Sequence, residues 1–308
     1  MCNDFSPRSP LTTPVLFLIY KRPETTERVF NAIRTAKPQK LFIAADGPKR
    51  DLADEAKACQ KVRKIATAVD WDCEVKTLFR DDNLGCRKAV SSSITWFFEN
   101  ESDGIILEDD CLPSQSFFRF CQDLLKYYRE DRRIMAISGN NFQKSPPRNE
   151  FSYYFSRFSH CWGWASWRRA WAFYDIDMTQ WPYIRDNGYL EDILLDRSTV
   201  RYWRKIFENS FNNKIDTWDY QWMFSGLINN ALTILPNQNL VSNIGFVDKA
   251  THTIGNNNPW ANLQRYEIPF PLKHPAWVIR DNMADSCTQN AHYMNKGILN
   301  RILGKFIF

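Results

Sequence analysis

The sequence predicts an α/β protein with a mostly parallel sheet flanked by helices. In the first half of the chain, short apolar runs alternate with stretches in which apolar residues recur every three or four positions, as on one face of a helix. The apolar runs are continuous, which is typical of strands covered on both faces. Strands that alternate with helices in this way lie parallel and are joined by right-handed crossovers, so their carboxyl ends should share one edge of the sheet.

The predicted elements follow this alternation. Strands are predicted at Pro14–Tyr20, Lys40–Ala45, Glu74–Phe79, Gly104–Leu107 and Ile134–Ser138. Helices are predicted from Pro23 onward, at Asp54–Ala68, and around Cys86–Phe98 and Phe117–Tyr128. Further along, the sequence predicts a strand at Tyr153–Ser156, helices near Arg168–Tyr174 and Thr199–Asn212, and a helix that runs to Asn229.

The chain divides into four segments. Residues 1–13 are an N-terminal extension, residues 14–142 and 143–270 are two halves of one domain, and residues 271–308 are a C-terminal tail. The soft boundary between the halves lies at Gln143–Glu150, where the sequence KSPPR is typical of an exposed loop. The second half is rich in tryptophan.

Composition excludes several classes of protein. With 44% apolar and 24% charged residues, the chain has the composition of a soluble globular protein, and a net charge of +5 is too small to indicate a nucleic-acid partner. The eight cysteines show no Cys-x-x-Cys spacing, which favours reduced thiols over zinc or redox sites. Residues 1–13 lack the apolar core of a signal peptide, and no apolar run approaches the ~20 residues of a membrane span. We therefore expect a cytoplasmic protein.

Three acids follow the predicted strand at Gly104–Leu107. Glu108, Asp109 and Asp110 repel one another unless a positive charge lies between them. Mg²⁺ and Mn²⁺ bind carboxylate and diphosphate oxygens and often keep only one or two protein ligands, so the acids predict a metal-diphosphate site. The alternative is that they favour the start of the next helix, although Ser114 can cap that helix by itself.

Five sequence motifs occur in an order that resembles a known family. They are PVLFLIYKRPETTERVF, FIAADGP, NLGCRKAV, GIILEDDCLPSQSFFRF and ISGNNF. They resemble the nucleotide-diphospho-sugar transferases of the GT-A fold, particularly the branch like alpha-mannoside N-acetylglucosaminyltransferase and its bacterial relatives. In that branch, too, an acidic triplet precedes a proline and a helix with two phenylalanines. The resemblance covers roughly residues 14–255.

The resemblance implies roles for the polar residues at the strand ends. Asp110 would bind Mn²⁺ or Mg²⁺ at the diphosphate of a nucleoside diphosphate-sugar donor, with a UDP-sugar favoured, and Glu108 and Asp109 would face its ribose and sugar. Arg22 would contact the nucleotide, and Asp46 would bind the edge of the nucleobase. The alternatives are a solvated loop residue for Arg22 and a simple Asp-Gly turn for Asp46.

A carboxylate is also needed to accept the proton of an acceptor hydroxyl if the sugar is transferred with inversion. The sequence NKIDTWDYQWMF offers Asp216 and Asp219. The Trp218-Asp219 pair resembles the Trp-Asp that carries the base in the family, which favours Asp219. Alternatively, Asp216 is the N-cap and Asp219 the third residue of the following helix.

Four tryptophans lie close together in the sequence HCWGWASWRRAW. Trp162 and Gly163 are candidates for a wall of the sugar site, because indole faces stack on sugars and glycine permits close approach. The alternative for Trp164, Trp167 and Trp171 is one helical stripe that packs into the core.

Two further features concern ligands. His252, in the sequence GFVDKATHT, resembles the histidine of the family's donor-covering loop, where it would touch the diphosphate or supply a metal ligand, although a structural role is equally consistent. The tail is amphipathic, so it is expected either to contact an anionic membrane or to dock on the protein itself or on a partner subunit. Its apolar face comprises Ile298, Leu299, Ile302, Leu303, Phe306 and Ile307.

These features together predict a metal-dependent inverting glycosyltransferase that acts on a hydroxyl acceptor in a glycan, a polysaccharide or a lipid-linked saccharide. One alternative is a sugar-1-phosphate nucleotidyltransferase, but the glycine-rich loop which that class needs after its first strand is missing from Tyr20–Pro23. Another is a non-catalytic glycan-binding protein.

Overall fold

Eight strands form one mixed sheet in the computed structural model, which describes residues 10–50, 52–246 and 259–294. In chain order the strands are β1 (Val15–Ile19), β2 (Lys40–Ala45), β3 (Glu74–Phe79), β4 (Asp103–Glu108), β5 (Cys111–Pro113), β6 (Ile134–Ser138), β7 (Tyr153–Ser156), β8 (Trp164–Trp167), β9 (Leu232–Pro236) and β10 (Val241–Asn243). The order across the sheet is β3-β2-β1-β4-β8-β6-β9-β7, and β5 pairs with β10 in a separate two-stranded sheet.

Helices connect and flank these strands. They are α1 (Pro23–Ala36), α2 (Ala53–Ala66), α3 (Gly85–Asn100), α4 (Gln115–Tyr127), α5 (Arg168–Trp171), α6 (Trp181–Asp186), α7 (Tyr189–Leu194), α8 (Arg197–Phe211), α9 (Asp219–Ile228) and α10 (Asn282–Thr288), followed by a π-helical turn at Gln289–Tyr293. Within the described part of the chain, none of these helices is both long and apolar enough to cross a bilayer.

The sheet has two parts with different strand directions. β3, β2, β1 and β4 are parallel neighbours, as expected for consecutive strand-helix units. β8 then lies antiparallel to both β4 and β6, and β9 continues parallel to β6. The prediction of an α/β protein with a mostly parallel sheet is confirmed, and β2, β3, β6 and β7 begin and end where the sequence predicted them.

Packing explains why the first strands are apolar throughout. Val15 and Phe17 of β1 belong to the core cluster that also contains residues of α1 and α4, whereas Leu16 and Leu18 belong to the cluster with α3 residues. Both faces of β1 are therefore covered, and a polar side chain on either face would be buried.

One predicted helical stripe is wrong. Trp164 and Trp167 lie on β8, because this segment pairs in register with β4 and β6, and the helix α5 begins only at Arg168. These tryptophans nevertheless pack into the core as that alternative predicted, since Trp164, Trp167 and Trp171 are all buried. Trp164 packs on Trp218 and Trp222 of the α9 region, with ring centres 5.5 and 5.7 Å apart.

Candidate functional site

A cavity of about 500 Å³ lies at the carboxyl ends of the parallel strands. This is the edge at which ligands bind in open parallel sheets, and the volume is typical of a small-molecule site. Its lining includes Arg22 after β1, Asp46 after β2, the acids after β4, and both Asp216 and Asp219. Arg22 and Asp219, which are 197 positions apart in the sequence, thus share one cavity.

Two of the three acids at the end of β4, Asp109 and Asp110, are held by residues that follow β1. Asp110 Oδ2 lies 2.6 Å from Arg22 Nη1, and Asp109 Oδ1 lies 3.8 Å from the same nitrogen. The backbone N–H of Tyr20 donates to Asp109 at 3.1 Å. The Arg22 side chain is largely buried, so the solvated-loop alternative does not hold. Its expected contact with a nucleotide stays a prediction, and here Arg22 pairs with the acids.

Carboxyl groups outnumber cationic side chains in the described lining of the cavity. Burial, and then the neighbouring carboxylate of Asp110, raises the pKa of both Glu108 and Asp109. The cationic side chains among the described lining residues are Arg22 and Lys49. Six carboxyl groups line the same cavity, namely those of Asp46, Glu108, Asp109, Asp110, Asp216 and Asp219. A bound cation would relieve this excess.

Asp110 is the predicted metal ligand, and its carboxylate is paired with Arg22. Among the described residues, no group of three or more His, Cys, Asp and Glu side chains is arranged to hold a metal by itself. One carboxylate is enough, however, for Mg²⁺ or Mn²⁺ that takes further oxygens from a diphosphate. Gly245 makes room for the Asp110 carboxylate, because a Cβ atom at this position would overlap it.

Asp46 is engaged within the chain. Its carboxylate accepts hydrogen bonds from the N–H of Gly47 at 3.0 Å, the N–H of Leu84 at 3.0 Å and Nδ2 of Asn83 at 3.0 Å. The chain makes no turn at Asp46-Gly47, so that alternative does not hold, and the Asp46 carboxylate fixes the loop that leads into α3. Burial raises the pKa of Asp46, although these backbone donors oppose the shift.

The two candidate bases lie in different environments. Asp216 caps α3, since its Oδ2 and Oδ1 accept the N–H groups of Cys86 at 3.0 Å and Arg87 at 2.9 Å. The expectation that Asp216 caps α9 is wrong, because Trp218 occupies that N-cap and α9 begins at Asp219. Asp219 lines the cavity and accepts a hydrogen bond from the Thr217 hydroxyl.

Trp162 and Gly163, which were predicted to form one wall of the sugar site, lie in different surroundings. Trp162 is half-buried and lines the cavity. Gly163 is not among the lining residues. It has a φ of +70°, and a Cβ atom there would lie 2.8 Å from Val241 Cγ2. The left-handed backbone and the contact with β10 explain the glycine, and its role in a sugar site stays a prediction.

Three predicted features lie outside the described residues. They are His252, the apolar face of the tail between residues 298 and 307, and most of the extension at residues 1–13, of which only 10–13 are described.

Most residues in a second wall of the cavity were not predicted from the sequence. We call this wall the aromatic end, and it comprises Phe142, His160, Trp162, Phe246, Trp260, His292 and Tyr293. The polar end comprises Tyr20, Arg22, Asp46, Lys49, Asn83 and Glu108–Asp110. In the aromatic end, the Phe142 ring lies at the centre, 4.6 Å from His160, 5.4 Å from Trp162 and 4.3 Å from His292 between ring centres. Only the tryptophan cluster around Trp162 gave a sequence signal for it.

Comparisons with known proteins give similarity at the level of structure. No protein-family model matches the chain, and no curated protein matches it in sequence. Residues 1–349 of TarS from S. aureus superpose with a TM-score of 0.41 at 8% identity, over 75% of this chain and 59% of that one. This chain therefore spans less than two thirds of the TarS chain.

Two further solved structures are similar over about half of the chain. HddC from Yersinia pseudotuberculosis has a TM-score of 0.30 and 9% identity, over 51% of this chain and 78% of its own. UDP-glucose pyrophosphorylase in complex with UDP-glucose has a TM-score of 0.27 and 11% identity, over 49% and 64%. Similarity at this level does not by itself identify an activity.

Proposed function

We propose that the protein is a metal-dependent inverting glycosyltransferase of the GT-A type, which moves a sugar from a nucleoside diphosphate-sugar to a hydroxyl acceptor. The observation that carries the proposal is the convergence of the acids after β4, Arg22 and Asp219 on one cavity at the carboxyl edge of the parallel strands. The five motifs that resemble GT-A transferases include Arg22 and Glu108–Asp110, and the Trp218-Asp219 pair resembles the family's Trp-Asp.

In this proposal the polar end binds the donor. Asp110 would hold Mg²⁺ or Mn²⁺, which when bound would supply positive charge to the diphosphate. Arg22 lies 2.6 Å from Asp110, so its guanidinium is placed to stabilise the same phosphates. Glu108 and Asp109 face the ribose and the sugar, and a UDP-sugar is the favoured donor.

Asp219 acts as the general base. Its carboxylate takes the proton of the acceptor hydroxyl as that oxygen bonds to the anomeric carbon and the bond from this carbon to the diphosphate oxygen breaks. Attack from the face opposite the leaving group inverts the anomeric configuration. Asp219 supports this role better than Asp216, because both oxygens of Asp216 already accept N–H groups of α3.

A thermal-shift experiment tests the donor and the metal together. The full chain is melted with UDP, GDP, CDP and dTDP, each with and without Mn²⁺. We expect UDP to raise the melting temperature by roughly 5 °C at 100 times its Kd, only with Mn²⁺ present, because a ligand that binds the folded state alone stabilises it by mass action.

The matched variants are Asp110→Ala and Asp54→Ala. Asp54 is an exposed acid in the first turn of α2, so its removal should leave the nucleotide shift and sugar transfer unchanged. Asp110→Ala should remove the Mn²⁺-dependent shift and slow transfer at least about 100-fold. The proposal would be contradicted if nucleotide with Mn²⁺ did not raise the melting temperature of the wild type, or if it raised that of Asp110→Ala by the same amount. Release of pyrophosphate from a nucleoside triphosphate would instead indicate nucleotidyl transfer.

A further inference from the structure

The aromatic end contains two imidazoles with nitrogens that have no hydrogen-bond partner among the described residues. These atoms are Nε2 of His160 and Nδ1 of His292, and the two ring centres lie 5.9 Å apart. His160 is only 5% exposed, yet it lines the cavity. Buried polar atoms in proteins are almost always paired, so a ligand with hydroxyl groups is a natural partner for them.

A hydrogen bond joins the aromatic end to α9, the helix that carries the proposed base Asp219. Ser159, next to His160, donates a hydrogen bond to Met223 Sδ at 3.6 Å. Met223 follows Asp219 by four residues on α9, so the two lie on the same face of the helix. Cys161, Trp218, Asp219 and Tyr220 all line the cavity beside this connection. A ligand in the aromatic end would therefore lie next to Asp219.

Among its described residues, the aromatic end has no charged side chain to pair with an anionic ligand. The cationic side chains that line the described cavity, Arg22 and Lys49, belong to the polar end. Lys144 Nζ lies 5.5 Å from the Trp260 ring centre but is not among the lining residues. Burial lowers the pKa of both His160 and His292, so both rings are neutral near pH 7.

Trp162 supplies a large ring at the side of this wall nearest the acids. It is half-buried, and its ring centre lies 5.6 Å from that of Phe246. Phe246 follows Gly245, the residue that contacts the Asp110 carboxylate. The aromatic end thus begins where the proposed metal ligand is and extends past Asp219.

We propose that the aromatic end is the acceptor subsite, and that it takes an uncharged sugar ring that packs on Trp162 and hydrogen-bonds to His160 and His292. The assignment rests on the proposed function, since it makes Asp219 the base for a hydroxyl of this ring. Aromatic rings bind the apolar face of a sugar, and neutral imidazoles can both donate to and accept from its hydroxyls. An acceptor with a carboxylate or phosphate on this ring would lose solvation without gaining a cation.

Isothermal titration calorimetry on the full chain tests this. The probes are neutral trisaccharides of glucose, mannose or N-acetylglucosamine and a trisaccharide of galacturonic acid, each titrated with and without the nucleotide and Mn²⁺. We expect one or more neutral trisaccharides to bind the wild type more tightly than the uronate does. Trp162→Ala should weaken that binding about tenfold. His160→Phe, which keeps a ring of similar size, should weaken it by a similar factor.

The control is Trp277→Ala, which removes an exposed tryptophan outside the cavity and should leave saccharide binding unchanged. Nucleotide affinity, measured in the same proteins, should stay within about twofold of wild type, which shows that the variants are folded. The subsite is overturned if no neutral trisaccharide binds, if the uronate binds more tightly, or if Trp162→Ala and His160→Phe bind as the wild type does. Saccharide binding without any nucleotide binding would uphold the subsite and overturn the proposed transferase function.

Discussion

The polar and aromatic ends of the cavity are built in different ways. The polar end collects residues that end β4 or lie within four residues after β1, β2, β3 or β4, so each is placed by the same strand-helix repeat. The aromatic end collects Phe142, His160 and Trp162 from loops, and His292 from the π-helical turn, with no shared strand end. Sheet topology therefore fixes the first end, whereas packing between distant segments fixes the second.

The two ends also differ in how their polar groups are paired. Charges in and beside the polar end have partners, as in the pairs Arg22–Asp110 and Lys21–Glu55. In the aromatic end, the His160 and His292 nitrogens that have no partner among the described residues each cost about 1–3 kcal/mol if they stay without one. The polar end is thus organised before a ligand binds, and the aromatic end gains most from a ligand with hydroxyl groups.

The largest expected effect is at the residue where the two ends meet. Asp219→Asn should slow sugar transfer by about 10²- to 10⁴-fold, because the amide cannot accept the proton of the acceptor hydroxyl. Nucleotide binding should be unchanged, since the polar end stays intact. Steady-state transfer and a nucleotide titration on the same sample measure both.

Asp216→Ala is the comparison variant. It removes the cap of α3, so the free energy of unfolding should fall by about 1 kcal/mol, while transfer changes less than tenfold. If Asp216→Ala slowed transfer as much as Asp219→Asn at a temperature where both are folded, Asp216 would be the base.

A smaller effect is expected from Gly245→Ala, which tests whether nucleotide binding depends on the position of the Asp110 carboxylate. The new Cβ would overlap Oδ2 of Asp110 and lie 2.9 Å from its Cβ, so the whole Asp110 side chain has to shift. The displaced carboxylate should weaken Mn²⁺-dependent nucleotide binding more than about tenfold. The measurement is a nucleotide titration with and without Mn²⁺.

Gly226→Ala is the matched control. Gly226 lies in α9 with open space around its Cα, so alanine should stabilise the helix by about 0.5–1 kcal/mol and leave nucleotide binding unchanged. Equal nucleotide binding in Gly245→Ala and the wild type would show that the position of Asp110 is not critical.

The same contrast explains which parts of the site could be predicted from the sequence. Arg22 and the acids at Glu108–Asp110 follow continuous apolar runs, so their place at one sheet edge follows from topology. The surroundings of Gly163 could not be predicted in this way, because its left-handed conformation and its contact with Val241 depend on β10, about 80 residues away.

Asp216 and β8 show two further limits of the sequence. The carboxylate of Asp216 caps a helix 130 residues earlier in the chain, whereas a local reading assigns it to the helix that follows. β8 has four residues, too few to distinguish a strand from a helical turn by periodicity, and it becomes a strand through its pairing with β4 and β6.

The smallest effect is expected from His292→Phe, which tests whether the aromatic end is uncharged. Burial lowers the pKa of His292 to about 4, against about 6.5 in an unfolded chain. Between these values the unfolded state binds a proton that the folded state does not, so stability contributed by His292 is complete above about pH 6.5 and lost as the pH falls toward 4. The variant lacks this proton uptake, and its phenyl ring can keep the stacking on Phe142 at 4.3 Å. Urea unfolding at pH 7 and pH 5 should therefore show a smaller loss of stability in His292→Phe than in the wild type.

Groups such as Glu108 titrate in both proteins and cancel in this difference. Equal losses would mean that His292 is solvated like a surface histidine, and the contrast between a charged and an uncharged end of the cavity would then not hold at this residue.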